Sequence, residues 1–352
     1  MKKIVLTGGG TAGHVTPNIA LLKSLRENDF EISYIGSYNG IEKSLIEKEN
    51  VPYYGIATGK LRRYFDLKNF TDIFRVIKGY FESKKLLKEL KPDIVFSKGG
   101  FVAVPVVRAA SKLKIPCVIH ESDMTPGLAN KLCIPAAAKV CCNFPETVSM
   151  CPANKAVYTG SPIRAELFEG DKERGRAFCG FDTGKPVIMI IGGSQGAASI
   201  NQNVRECLDR LLVRFNIVHL CGKDKVDNMM LDIKGYKQFE YLNDELKDIY
   251  ALADIVISRA GANAIMEILA LCKPNILIPL ASGSRGDQVL NAASFEEKGY
   301  SMVIKEEALD PGCMIDTINK LYESREEYIA NMKKQGEINP VDKIINIILE
   351  EA

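Results

Sequence analysis

Two glycine clusters, with a few titratable residues beside them, carry the chemistry legible in this sequence. Ile4-Val5-Leu6 runs into Gly8-Gly9-Gly10-Thr11-Ala12-Gly13, with His14 directly after the last glycine and a helix expected from about Pro17. Val187–Ile191 runs into Gly192-Gly193-Ser194-Gln195-Gly196-Ala197, again ahead of a helix. Glycine at a strand-to-helix turn lets the backbone approach a phosphate, and the amides at the helix start supply positive potential, so both loops suit a diphosphate. His14 sets an imidazole, whose ordinary pKa lies near neutrality, against the first loop. There it could act as a base, order the loop or hydrogen-bond a phosphate. His120-Glu121, at the end of another apolar run, offers either a rival acid–base group or a buried polar pair. His219 sits on the apolar run Ile217–Leu220 and reads as structural.

Several chemistries are excluded. Gly8-x-Gly10-x-x-Gly13 matches the dinucleotide fingerprint, which expects an acid at the end of the second strand to hold a ribose. Here that run, Glu31–Ile35, ends in Gly36-Ser37, while Asp29 and Glu31 lie at its beginning, which argues against NAD. Neither loop ends in Gly-Lys-Ser/Thr, so neither is a P-loop. No two aspartates stand two residues apart, so no Asp-x-Asp metal clamp is present, and no metal or other cofactor is expected. Ten cysteines without a C-x-x-C pair read as reduced core thiols, neither a disulfide frame nor a zinc site.

The elements that must position these residues form a repeated plan. Asp93-Ile94-Val95-Phe96-Ser97-Lys98-Gly99-Gly100 is echoed by Asp254-Ile255-Val256-Ile257-Ser258-Arg259-Ala260-Gly261. Each is followed by a helix and then by a strand entered through a proline, Ile115-Pro116-Cys117 and Pro274-Asn275-Ile276. Two copies of one strand–glycine–helix order predict an α/β protein of two doubly wound parallel-sheet domains. At 352 residues the length suits two domains. The punctuation at Tyr158-Thr159-Gly160-Ser161-Pro162 places the join near residue 160, giving domains 1–160 and 161–339, with the tail helix 340–352 expected back on the first. A net charge of +2 gives no electrostatic case for nucleic acid. The short apolar run at the N-terminus is no signal peptide, and no run approaches the roughly 20 apolar residues of a spanning helix.

Five segments taken together resemble the MurG family of GT-B glycosyltransferases: Gly8–Pro17, Lys98-Gly99-Gly100-Phe101-Val102, His120-Glu121-Ser122-Asp123, Gly192–Ala197 and Arg259-Ala260-Gly261-Ala262. They occur in the family's order and span nearly the whole chain, Lys3 to about Leu349. The resemblance implies two Rossmann-like domains facing each other across a cleft. It also implies a hexosyltransferase that inverts the anomeric carbon of UDP-N-acetylglucosamine as it transfers the sugar to the C4 hydroxyl of N-acetylmuramic acid in lipid I, making lipid II. His14 is then the favoured base, with Glu121 its rival. Thr11, Ala12, Gly13 and Asp123 are implied substrate contacts on the first domain. On the second, donor side, the resemblance implies contacts from Arg164, Ser194, Leu242 (backbone to the uracil), the segment Ala262-Asn263-Ala264-Ile265-Met266, Glu267 (ribose) and Gln288 (sugar). The family often has glycine at the position of Ala12, asparagine at that of Asp123 and glutamine at that of Asp287. Asp123, if ionised, accepts hydrogen bonds but donates none.

The first domain carries an insertion. The first glycine and the Asp-Ile-Val run lie 85 residues apart in the first half and 62 in the second. The extra interval holds Lys60-Leu61-Arg62-Arg63-Tyr64-Phe65, then Phe70, Ile73, Phe74, Ile77 and Phe81 near helical spacing. Residues 60–91 carry ten Lys/Arg against four Asp/Glu. Basic residues bordering aromatics suit an anionic bilayer, while the same stripe could also be core. With a lipid acceptor implied, the expectation is a peripheral protein on the cytoplasmic face of the membrane, with cell-wall or division proteins as further partners. The competing readings are a UDP-sugar 2-epimerase, a transferase to another lipid, and a catalytically silent nucleotide-sugar-binding protein.

Overall fold

The computed structural model describes residues 1–59, 68–193, 196–281, 286–334 and 339–352, with the side chains of residues 68–71 left out. The chain divides into two compact units, Met1–Arg164 with Ile338–Ala352, and Ala165–Glu337.

In the first unit seven strands pair in parallel: β1 (Lys2–Thr7), β2 (Phe30–Ser37), β3 (Tyr53–Ile56), β4 (Ile94–Ser97), β5 (Cys117–Glu121), β6 (Lys139–Cys142) and β7 (Ala156–Tyr158). Their order is β3-β2-β1-β4-β5-β6-β7. Helices cover both faces of such a sheet, so its strands read as unbroken apolar runs. The two-residue period still decides which core each side chain joins. Ile4 and Leu6 enter one cluster with Ile94 and Phe96, while Val5 and Val95 enter the other. The tail helix Pro340–Glu351 closes the first cluster with Ile344, Ile345, Ile347 and Ile348. Asn339 starts that helix by accepting from the amides of Val341 and Asp342, with Pro340 at the first helical position.

The second unit repeats the plan with β8 (Val187–Ile191), β9 (Asn216–Leu220), β10 (Tyr236–Phe239), β11 (Ile255–Ser258), β12 (Asn275–Leu277) and β13 (Met302–Val303). They are parallel in the order β10-β9-β8-β11-β12-β13. Each unit is a Rossmann-like doubly wound sheet. Eight of the ten cysteines are buried, and burial pushes the thiols of Cys117 and Cys141 up to about 12.

Strand order reverses between β1 and β4 in one sheet and between β8 and β11 in the other. Right-handed crossovers send the connections on either side of such a point to opposite faces, which opens a crevice beyond the carboxyl ends of the strands. Both glycine clusters, Lys98–Phe101 and Arg259–Ala262 follow the four strands at these points. Among the described residues, no helix is long and apolar enough to cross a membrane.

Candidate functional site

The first glycine loop is held from beneath by buried side chains from three elements. On helix α1 (Thr16–Glu27), Asn18 donates to the carbonyl of Thr7 at 3.2 Å, and Tyr34 of β2 donates to that of Gly8 at 2.8 Å. On helix α2 (Ile41–Lys48), Glu42 is fully buried. Its carboxylate accepts from the Gly10 amide at 3.2 Å, the Ser37 amide at 3.0 Å and the Ser37 hydroxyl at 2.5 Å. The sequence suited both loops to a diphosphate, but the first has a carboxylate as its floor. In the first loop the Gly10 N–H already serves a carboxylate, whose charge opposes a phosphate at that spot. A Cβ on Gly9 would lie 2.6 Å from Glu42 Cδ, so the carboxylate fills the floor of the loop.

Thr11, Ala12, Gly13 and His14 follow as a turn on the outer side. Thr11 is exposed and the other three are half-buried. Thr11 Oγ1 lies 2.9 Å from His14 Nδ1. When Nδ1 carries the proton and donates to the threonine, the Nε2 lone pair is left to take a proton; the other tautomer reverses the roles. Thr11 thus orients the ring. The loop after β4 lies across this turn. The ring of Phe101 occupies the space a Cβ on Gly10 would need, and one on Gly100 would meet the Gly9 carbonyl and lie 3.3 Å from His14 Nδ1.

The loop after β5 is a separate construction. His120 is fully buried, and its Nε2 lies 2.8 Å from the carbonyl of Gly160, so Nε2 carries the proton. Nδ1 then accepts from Lys98 Nζ at 2.9 Å, and the same ammonium donates to Ser122 Oγ. Burial and the neighbouring ammonium hold the His120 imidazole well below its ordinary pKa. Burial lowers Lys98 to about 8, against the opposing pull of Glu121, Asp123 and Cys141. Glu121 is buried, and its carboxylate accepts from the amides of Asp123 at 3.0 Å and Gly127 at 2.9 Å and from Asn130 Nδ2 at 2.9 Å. Of the two roles the sequence left open to Glu121, proton transfer or holding the wall, this geometry serves the second. Asp123 is half-buried at the turn that Glu121 closes, and Arg164 is half-buried at the end of the first unit.

In the second unit, Gly192, Gly193 and Gly196 follow β8. A Cβ on Gly196 would collide with the carbonyl of Cys221. Ser194 lies outside the described residues. Among the described residues no side chain caps the start of the helix Ala198–Glu206. Arg259 is committed elsewhere. Its guanidinium reaches Glu306 Oε1 at 2.5 Å, Ser199 Oγ at 2.9 Å and the Ile278 carbonyl at 3.0 Å. This knot ties the ends of β11 and β12 to the first turn of the Ala198–Glu206 helix, and Arg259 and Ser199 hold the Glu306 carboxyl below its usual range. The helix Ala262–Ala270 also starts uncapped, with Asn263, Ala264 and Glu267 half-exposed. Ala262, Ile265 and Met266 are buried, and Ile265 wholly so. The side chain of Ile265 therefore belongs to the core, which leaves its backbone as what it can offer a substrate. Gln288, on the helix Asp287–Glu297, accepts from the Leu280 amide at 2.9 Å, which turns its carbonyl inward and leaves the NH2 as what it can offer. Leu242 is half-buried in the loop after β10. His219 is buried between Tyr236 and Asn201, at 2.8 and 3.0 Å, and burial lowers it to about 3.

Sequence reasoning did not single out Glu42, Lys98 or Asn130. Glu42 looks like any acid on an amphipathic helix, and only Lys98, inside the Lys98-Gly99-Gly100 run, carried a local signal.

Residues 4–142 match the Glycosyltransferase family 28 N-terminal domain, and residues 187–347 match the Glycosyltransferase family 28 C-terminal domain. A protein of Lachnoclostridium phytofermentans named UDP-N-acetylglucosamine–N-acetylmuramyl-(pentapeptide) pyrophosphoryl-undecaprenol N-acetylglucosamine transferase is 62% identical over 351 residues, 99% of each chain. The protein of the same name from Lachnospira eligens is 59% identical over 353 residues, covering all of both chains. The crystal structure of Acinetobacter baumannii MurG superposes with a TM-score of 0.77 at 26% identity, over 99% of this chain and 100% of that one. UDP-GlcNAc 2-epimerase from Neisseria meningitidis, bound to UDP-GlcNAc, reaches 0.70 at 14% identity over 99% and 100% of the two chains, a likeness of fold alone. The chain belongs to glycosyltransferase family 28 and, within it, to the MurG group.

Proposed function

We propose that the chain transfers N-acetylglucosamine from UDP-N-acetylglucosamine to the C4 hydroxyl of N-acetylmuramic acid in lipid I, forming lipid II for peptidoglycan synthesis. The observation that carries this reading is the 62% identity, over 99% of both chains, to a transferase of that name. In the reaction the C4 oxygen bonds to the anomeric carbon from the face opposite UDP. The carbon–oxygen bond to UDP breaks with its electron pair, and the configuration inverts. His14, with Nδ1 donating to Thr11, takes the hydroxyl proton on Nε2. Ala12, Gly13 and Asp123 lie on the acceptor side, in the first unit, where Glu121 holds the turn that carries Asp123. The departing diphosphate is met by Ser194 and by the helix start at Ala262, Asn263 and Ala264 in the second unit, with Arg164, the last residue of the first unit, as a further contact. Ile265 and Met266, whose side chains are buried, offer their backbone to the donor. Glu267 accepts from the ribose, the backbone of Leu242 reads the uracil edge, and the Gln288 NH2 donates to the sugar.

The purified protein is expected to release UDP from UDP-N-acetylglucosamine only when a lipid I analogue is present, and to do so equally in EDTA. Conversion of the sugar without acceptor would establish an epimerase instead. UDP binding without turnover would leave a nucleotide-sugar-binding protein.

Docking at the cytoplasmic membrane face is part of the same proposal. Helix α3 (Lys68–Leu90) buries Gly79, Ser83 and Leu87 and turns Ile73, Phe74, Ile77 and Phe81 outward, with Phe74 71% and Phe81 63% exposed. Arg75, Lys78, Lys85 and Lys88 are exposed on the same helix. The stripe is therefore not core on that face, which supports the bilayer alternative. Lys60–Phe65 and the Phe70 side chain lie outside the described residues. Replacing Phe74 and Phe81 by serine is expected to weaken sedimentation with anionic vesicles by about tenfold. Turnover of a soluble acceptor analogue should be unchanged. Equal sedimentation of the variant would remove α3 as the docking face.

A further inference from the structure

The buried ammonium of Lys98 is a charged group at the first unit's carboxyl edge that the reaction above does not use. Lys98 is 1% exposed. Its two hydrogen-bond partners, His120 Nδ1 and Ser122 Oγ, are neutral, so no direct ion pair repays the loss of its water. Its folded pKa of about 8 is below the ordinary 10.5, so between those values the unfolded chain binds the extra proton. The ammonium therefore costs stability at neutral pH, and that cost disappears as pH rises from 8 towards 10.5. An amide could donate the same two hydrogen bonds at lower cost, so what distinguishes lysine here is its charge.

That charge faces a specific set of groups. Glu121 and Asp123, on the turn after β5, attract it; the neutral His120 on β5 and the Cys141 thiol on β6 complete its surroundings. Glu121 accepts three hydrogen bonds, and one of the donors is the amide of Asp123 itself. Two carboxylates thus share one turn. The Lys98 amide meanwhile donates to the Thr7 carbonyl at 2.9 Å, at the root of the His14 loop, and the residues after it cover that loop.

We infer that Lys98 is a positioning and charge-balancing residue for the acceptor: its buried ammonium holds the Glu121–Asp123 turn through Ser122 and His120 and offsets the turn's negative charge, so that a diphosphate-bearing substrate can approach. The inference rests on the transferase reading for the identity of that substrate. Without the ammonium, the turn that carries Glu121 and Asp123 loses a buried positive neighbour and presents more net negative charge to an anionic molecule.

The test is a cycle of Lys98→Met, Asp123→Asn and the double variant in the full-length chain. Lys98→Met is expected to raise KM for a lipid I analogue about tenfold, with kcat and the KM for UDP-N-acetylglucosamine changed less than about threefold. Asp123→Asn added to Lys98→Met should recover most of that loss, because one negative charge has gone; the two effects are then non-additive. Lys98→Gln keeps a donor without the charge and should behave as Lys98→Met does. Additive losses in the double variant, wild-type acceptor KM in Lys98→Gln, or equal losses of kcat and acceptor KM accompanied by a collapsed melting temperature would each overturn the charge-balancing role. Thermal melts from pH 7 to 10 read the same charge without turnover: wild type should gain stability relative to Lys98→Met as pH rises through 8. A wild-type chain that transfers no sugar yet shows this gain would sink the transferase reading and the substrate assignment while keeping the buried charge. A flat difference across that range would sink the charge claim itself.

Discussion

His14→Ala is expected to lower kcat for transfer by about 10²–10⁴-fold, the usual worth of a positioned general base. The affinity for UDP should change less than about twofold, because the base is asked to act only on the acceptor hydroxyl in the transition state. Single-turnover transfer and calorimetric titration with UDP separate the two quantities. The roles left open to His14 by sequence give different results. A histidine that contacts the donor diphosphate would lose UDP affinity along with rate, and one that only orders the loop would lose melting temperature. Thr11→Val offers a graded companion, since the loss of the 2.9 Å contact to Nδ1 removes one restraint on the ring and its tautomer but leaves the imidazole in place. Its rate should fall between wild type and His14→Ala.

Gly100→Ala is expected to be strongly damaging to activity. Gly100 sits at φ +80, a left-handed conformation costing an L-residue about 1–2 kcal/mol. Its new Cβ would also meet the backbone carbonyl of Gly9, which has no rotamer with which to move aside. The covering loop must then lift from the His14 turn, and a displacement of about 1 Å at a reacting group can cost on the order of 100-fold in rate. Gly180→Ala is the control. Gly180 has φ +64 at the end of the helix Lys172–Cys179, with nothing within 4 Å of its Cβ position. Both variants should lower the melting temperature by a few degrees at about 2–4 °C per kcal/mol, but only Gly100→Ala should lose activity. Equal activities would mean that the loop after β4 does not set the geometry of His14.

Much of the fold was legible because its signals are local. A strand buried on both faces must be apolar throughout, and a strand-to-helix turn must be small, so Lys3–Leu6 and Val187–Ile191 announce themselves with the loops that follow them. The echo between Asp93–Gly100 and Asp254–Gly261 showed that the plan occurs twice. The residues that could do chemistry were visible for the same reason, as they stand next to glycines that mark the carboxyl ends of strands.

The partners of those residues were not visible. Glu42 reaches the Gly10 amide across 32 residues, Lys98 meets His120 across 22, and His120 meets Gly160 across 40. Nothing in an amphipathic helix says that one of its acids will turn inward and occupy a glycine loop, and a histidine–glutamate pair reads alike whether it transfers protons or closes a turn. Hydrophobic period and turn chemistry are properties of neighbouring residues, so the chain by itself determined two parallel sheets, their glycine loops and His14 at the edge of one. Which buried polar group meets which is set by strand order and by the closing of each core around it. Tertiary structure alone therefore decided that Glu121 is consumed by its own turn, that Arg259 is tied to Glu306, and that an ammonium lies buried beneath the loop carrying Asp123.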